Sequence, residues 1–248
     1  MPRYDFISQR LFIDQPLKPG EALQLDRSQS NYLLNVLRFK DGAPVLVFNG
    51  RDGEWQAKLK LLGRKKAELK IASQTRSQPE PYQLHYLFAP LKQARMEYMV
   101  QKAVEMGAGV LQPVITDYCQ VRKLNLDRMR THATEAAEQC GILSIPQINE
   151  PMKLEDLLAD FPDDRHLIFC DEGEDTQNPL SALKQVSTDE ISVLIGPEGG
   201  FSSSERQVLR DHPSVTAIPL GPRVLRADTA AVAALALVQA VLGDWHDE

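Results

Sequence analysis

The spacing of apolar residues changes period across one polar stretch, Ser73–Pro81, and that change commits the chain to two parts of different build. The stretch, SQTRSQPEP, carries two prolines and reads as a linker. Before it, Pro44–Phe48, Glu54–Leu62 and Ala67–Ala72 read as short strands, parted by the turn-rich NGRDG and GRKK, with one helix ahead of them at Ser28–Leu37. A small, strand-rich segment of this kind predicts a compact β-barrel. After it, strand and helix alternate. Leu84–Ala89 leads into a helix with Met96, Val100, Ala103, Val104 and Gly107 on one face; VLQPVI, a helix over Leu126–Cys140, HLIFCD and SVLIG follow. That rhythm predicts a mainly parallel sheet covered by helices. The expected organisation is therefore a barrel over 1–73, a linker over 74–81 and an α/β domain over 82–248.

The last helix, from Thr229, is apolar nearly all round (AAVAALALVQAVL). A helix without a polar face must be covered on every side, by its own domain or by a second subunit.

Charge divides along the same line. The chain carries a net −6, yet residues 1–78 hold 14 Lys+Arg against 8 Asp+Glu, and the remainder 14 against 26. The front is thus at +6 and the back at −12, which assigns polyanion binding to the front. The plain alternative is a chance partition of solvated charge.

Several function classes drop out. Cys119, Cys140 and Cys170 lie far apart with no C-x-x-C pair, which fits buried thiols in a reducing compartment. His85, His132, His166, His212 and His246 show no metal-ligand spacing, so no metal is expected. The N-terminus has no apolar signal core, and the stretch Ala230–Leu242 is too short to span a bilayer. The expectation is a cytoplasmic protein.

Two loops concentrate the chemistry. In the first, LIGPEGGFSSSE (Leu194–Glu205), a buried strand enters Gly196-Pro197-Glu198-Gly199-Gly200, and Ser202 with Glu205 forms a capping box for the next helix. Glycines at such a turn allow a ligand to approach the backbone. No Walker lysine and no G-x-G-x-x-G are present, and Glu198 suits an uncharged or cationic ligand better than phosphate. A tight turn without a ligand is the plain reading. The second loop is PLGPRVLRADTAAV (Pro219–Val232), where Arg223 and Arg226 precede a helix start at Asp228 or Thr229. Cations there oppose the helix dipole and call for an anion; Asp228 is a candidate both for that role and for the N-cap. Two such loops after neighbouring strands can line one crevice at the carboxyl ends of a parallel sheet.

GPEGGFSSSE and LGPRVLRADTAA resemble the two signature loops of the SPOUT methyltransferases, and in particular those of the RsmE-type ribosomal RNA uridine N3-methyltransferases. VLRFKDG (Val36–Gly42), RMEYMVQKAVEMGAG (Arg95–Gly109) and EQCG (Glu138–Gly141) extend the resemblance over essentially the whole chain. It implies a PUA-like barrel for RNA, an α/β domain with a C-terminal trefoil knot, and a homodimer that covers the last helix. It also implies S-adenosyl methionine (SAM) as methyl donor, held by Ile195, Gly196, Glu198, Gly199, Gly200, Leu220, Gly221, Arg223, Val224 and Leu225. The family commonly reads Arg-Thr-Glu-Thr where this chain has Arg226-Ala227-Asp228-Thr229, and it tends to place Arg where this chain has Ile142.

The implied substrate is a uridine of small-subunit ribosomal RNA, whose N3 must lose a proton while negative charge spreads onto O2 and O4. Arg226 is the expected stabiliser of that charge, with Asp228 as proton acceptor or as the group that orients Arg226. Arg3, Arg10, Arg38, Lys40 and Arg51 are the candidate phosphate contacts, while Lys65 and Lys66 read as turn charges. Another base or a ribose hydroxyl as target, and a non-catalytic RNA-binding protein, stay open at this point.

Overall fold

The computed structural model describes residues 5, 7–171, 173 and 178–245. The chain divides into two compact units. One comprises Met1–Pro81 with Thr134–Ile145, the other Tyr82–Ala133 with Pro146–Glu248.

The first unit is built on β1 (Arg10–Phe12), β2 (Ala22–Gln24), β3 (Pro44–Phe48), β4 (Glu54–Leu61) and β5 (Ala67–Arg76), in sheet order β1-β3-β4-β5-β2. The end strands do not pair with each other, so the expected barrel is an open one. Alternation along the strands sends Val45, Val47, Ala57, Leu59, Leu69 and Ile71 into one apolar core with Leu11, Leu23 and Leu33. The expected helix starts at α1 (Arg27–Asn31), closed by a capping box between Asp26 and Gln29, and then loosens into a π-helical turn, Tyr32–Val36.

β5 runs past the expected boundary at residue 73 because Glu54 holds its end. The Thr75 hydroxyl donates to the Glu54 side chain at 2.8 Å, and Arg76 Nη2 meets Glu54 Oε2 at 2.7 Å. Thr134–Ile145 belongs to this unit, although it follows the linker in sequence. The Phe12 amide donates to Glu138 (2.8 Å), Arg76 to the Gly141 carbonyl (2.9 Å) and Gln78 to Ser144 (3.2 Å). These contacts join residues 65 or more apart in sequence, which no local pattern encodes.

The chain after the linker follows the expected alternation: β6 (His85–Phe88), α2 (Gln93–Glu105), β7 (Val110–Ile115), α3 (Leu126–Cys140, of which the residues from Thr134 on belong to the first unit), β8 (Gln147–Ile148), β9 (Met152–Lys153), α4 (Leu154–Ala159), β10 (His166–Cys170), α5 (Pro179–Leu183), β11 (Ile191–Ile195), α6 (Ser203–Asp211), β12 (Val215–Ile218) and α7 (Ala227–Leu242). Six strands run in the order β12-β10-β11-β6-β7-β8, with β9 beside β7, and every pairing is parallel. Leu87, Leu167, Phe169 and Leu194 share one face with Leu157, Leu158 and Leu209 from α4 and α6. Tyr86 and Phe88 alternate to the opposite face and stack at 5.1 Å.

Helix α7 packs on β11 and against α2 and α5. Ala227, Ala231, Ala234, Leu235, Val238 and Gln239 are buried, while Val232, Ala233, Ala236, Leu237, Val241 and Leu242 are only partly covered. The sequence requires cover on every side; within one chain it exists on one. Among the described residues no helix is long and apolar enough to cross a membrane, and no cluster of His, Cys, Asp and Glu could hold a metal ion. None of the three cysteines forms a disulfide.

Candidate active site

Strands β11 and β12 flank β10 and run parallel to it, so the loops that follow them leave the same edge of the sheet. Ile195 ends β11 and is buried. The glycines after it have separate structural reasons. A Cβ on Gly196 would come within 2.5 Å of the Phe201 ring, and Gly200 adopts φ +69°, a left-handed conformation that glycine tolerates. The Gly200 amide closes the turn on the Pro197 carbonyl at 2.9 Å. Glu198 is exposed but not free, because Arg95 Nη1 lies 3.2 Å from its Oε1.

The expected capping box is present: Ser202 accepts from the Glu205 amide, and the Glu205 side chain accepts from the Ser202 amide at 2.8 Å. Both residues also reach the loop after β7. The Ser202 hydroxyl donates to Asp117 Oδ2 at 2.6 Å, and the Asp117 amide donates to Glu205 Oε1 at 2.8 Å.

The second loop is open. A Cβ on Gly221, at φ +94°, would meet nothing within 4 Å. Val224 is 88% exposed, Leu220 and Leu225 are half-buried, and Arg223 and Arg226 are exposed with no ion-pair partner among the described residues. This donor set fits SAM: apolar side chains for an adenine ring, loop backbone for its polar edge, and a guanidinium for the amino-acid carboxylate.

The start of α7 corrects the expected cap. Arg226 occupies the N-cap position with no side-chain hydrogen bond, and Asp228 lies in the first turn. Its Oδ1 accepts from the Thr229 amide at 3.1 Å, and it forms no ion pair with Arg226. Asp228 therefore offsets the dipole from within the helix rather than capping it. Tyr86, wholly buried, has no hydrogen-bond partner for its hydroxyl among the described residues. Burial above all, then Cys170 and Asp228, pushes its pKa well up.

Residues 78–239 match the RNA methyltransferase domain, and residues 25–72 match the RNA methyltransferase PUA domain. The chain belongs to the RNA methyltransferase family. Its relatives include the ribosomal RNA small subunit methyltransferase E of Rickettsia conorii, 29% identical over 96% of this chain and 98% of that one. Among solved structures, a Legionella pneumophila methyltransferase bound to SAM is 31% identical, with TM-score 0.83, covering 96% of this chain and 99% of the other. The ribosomal RNA small subunit methyltransferase E of Neisseria gonorrhoeae, also bound to SAM, is 28% identical with TM-score 0.86 over 96% of this chain and 99% of that one.

In the front unit, which holds the match to the PUA domain, one expected phosphate contact is overturned. Arg10 is 2% exposed and pairs with the buried Glu54, Nε to Oε2 at 2.7 Å, while donating also to the Asp5 carbonyl. A guanidinium consumed by a buried carboxylate is not offered to phosphate. Burial of Glu54 works to raise its pKa, but hydrogen bonds from Arg76 and Arg10 outweigh it and hold the carboxyl below its usual value. Arg38 and Lys40 are exposed, and Arg38 sits at φ +55° just past the π-helical turn. Arg51 is exposed and paired with Asp14 at 2.9 Å. Arg3 and His246 lie outside the described residues. Sequence reasoning passed over Asp117, Tyr118 and Arg95, although a polar DY pair directly after a buried strand was the available signal.

Proposed function

We propose that this chain methylates N3 of a uridine in small-subunit ribosomal RNA, with SAM as the donor. The observation that supports it most is similarity over nearly the whole chain to two SAM-bound methyltransferase structures, combined with an open, apolar-lined second loop. Uridine N3 as the target rests on the resemblance of the two loops to RsmE-type enzymes.

Ile195, Gly196, Glu198, Gly199, Gly200, Leu220, Gly221, Arg223, Val224 and Leu225 would hold SAM, which supplies an electrophilic methyl group when bound. Arg226, exposed at the N-cap of α7 and without an ion-pair partner among the described residues, is available to the uracil. Its guanidinium stabilises the negative charge on O2 and O4 as N3 loses its proton. Asp228, in the first turn of the helix, accepts that proton. A base held in a duplex must first be splayed out.

The partly covered face of α7 supports a homodimer, and the return of the chain from β12 to pack α7 on β11 is compatible with a knot. Titration of the purified chain with SAM by calorimetry tests the cofactor: absence of binding leaves an RNA-binding protein without this chemistry. Mass mapping of ribosomal RNA from cells lacking the gene then identifies the nucleotide, and a missing ribose methyl instead of a base methyl would overturn the N3 reading.

A further inference from the structure

The loop after β7 carries side chains that methyl transfer itself does not use. Tyr118 is 52% exposed between a tethered Asp117 and a buried Cys119. It abuts the first cofactor loop, since a Cβ on Gly199 would lie 3.2 Å from Tyr118 Cβ. Its backbone is thus held on both sides while half its ring faces solvent. Close by, an open cleft of about 410 Å³ is lined by Lys92, Ala94, Arg95, Gln120 and Glu198. Lys123 lines a second cavity of about 240 Å³.

The charge here runs against its surroundings. Residues 92–130 hold seven Lys+Arg and four Asp+Glu, whereas 131–248 hold seven against twenty-one. Lys92, Arg122 and Lys123 are exposed and have no ion-pair partner among the described residues. Arg95 and Glu198 satisfy each other, so the cleft's one carboxylate leaves the other cations uncompensated. An exposed aromatic ring among uncompensated cations is the composition of a single-stranded nucleic-acid track, where bases stack and phosphates are neutralised.

We propose that the parallel-sheet unit has its own single-stranded RNA site, in which a base stacks on Tyr118 and the flanking phosphates meet Lys92, Arg122 and Lys123. It deepens the methyltransferase reading and rests on it for its purpose: a strand held there lies beside the first cofactor loop. An acidic protein would engage the cations but gain little from the ring.

The test uses the full chain and a labelled oligouridylate of about a dozen nucleotides, a length within the span of such sites. Tyr118→Ala lowers affinity roughly tenfold and Tyr118→Phe restores it, because stacking needs the ring and not the hydroxyl. Lys92→Ala/Arg122→Ala/Lys123→Ala lowers the slope of log affinity against log salt by about 2, as three fewer phosphates are neutralised. Unchanged affinity and slope in both variants overturn the site. A Tyr118→Phe variant as weak as Tyr118→Ala overturns stacking, and equal losses toward polyglutamate overturn RNA as the partner. The triple variant alters only exposed side chains, so it decides the matter if Tyr118→Ala melts early. SAM calorimetry on the same proteins keeps the two readings apart: RNA binding needs no cofactor, and loss of SAM binding in the parent chain would sink only the methyltransferase reading.

Discussion

The Ser202 hydroxyl donates to Asp117 at 2.6 Å while accepting from the Glu205 amide, so one side chain caps α6 and ties the β11 loop to the β7 loop. Ser202→Ala removes both bonds and costs about 1–2 kcal/mol in urea unfolding, the scale of a lost cap. SAM affinity, read by calorimetry, falls with it because the first cofactor loop loses its anchor. Ser202→Thr keeps the hydroxyl and restores both. Unchanged SAM affinity in Ser202→Ala would show that the tether does not shape the cofactor loop.

Arg10 and Arg38 were equivalent candidates as sequence, and the fold separates them. Glu54→Ala leaves two arginines around a buried void and costs about 3–5 kcal/mol, the usual cost of breaking a buried pair. Arg38→Gly does the opposite. It relieves a left-handed backbone and gains about 1 kcal/mol, while weakening RNA binding by removing an exposed charge. Thermal melts and RNA titration of the two variants check both signs.

Glu138 gives the front unit a pH dependence near neutrality. Burial, above the opposing hydrogen bond from the Phe12 amide, raises its pKa from 4.5 to about 7. An acid whose folded pKa is raised stabilises the fold fully below its unfolded value and loses that contribution as pH rises through about 7. Melting temperature therefore declines from pH 5 toward pH 8, and Glu138→Gln flattens the decline. A decline of the same size in Glu138→Gln would assign it to other groups.

At the proposed reaction centre, Arg226→Ala lowers the single-turnover rate by a factor of several hundred, about 3–4 kcal/mol, with SAM affinity nearly intact. Lysine restores only part, because it lacks the planar fork. Asp228→Asn removes a charge from the first turn of α7 and costs about 0.3–1 kcal/mol of stability, together with a fall in rate. Full activity in Asp228→Asn would reduce this residue to a partner of the helix dipole.

Local pattern carried much of this protein. Period alone marked β3 at Pro44–Phe48 and α3 at Leu126–Cys140, because alternation and helical spacing are properties of neighbouring residues. The capping box at Ser202 was readable for the same reason, as were the two glycine loops. What the sequence left open depends on residues distant along the chain. Whether Arg10 met water or Glu54 hinged on strands 44 residues apart, and the docking of Glu138 on Phe12 on a separation of 126. Asp117, next to the exposed Tyr118, is tied to Ser202 across 85 residues. Charge and residue type determined which groups were available for chemistry. Burial, which decides whether a charge is spent on a neighbour or kept for a ligand, arose only from the packing of the whole chain.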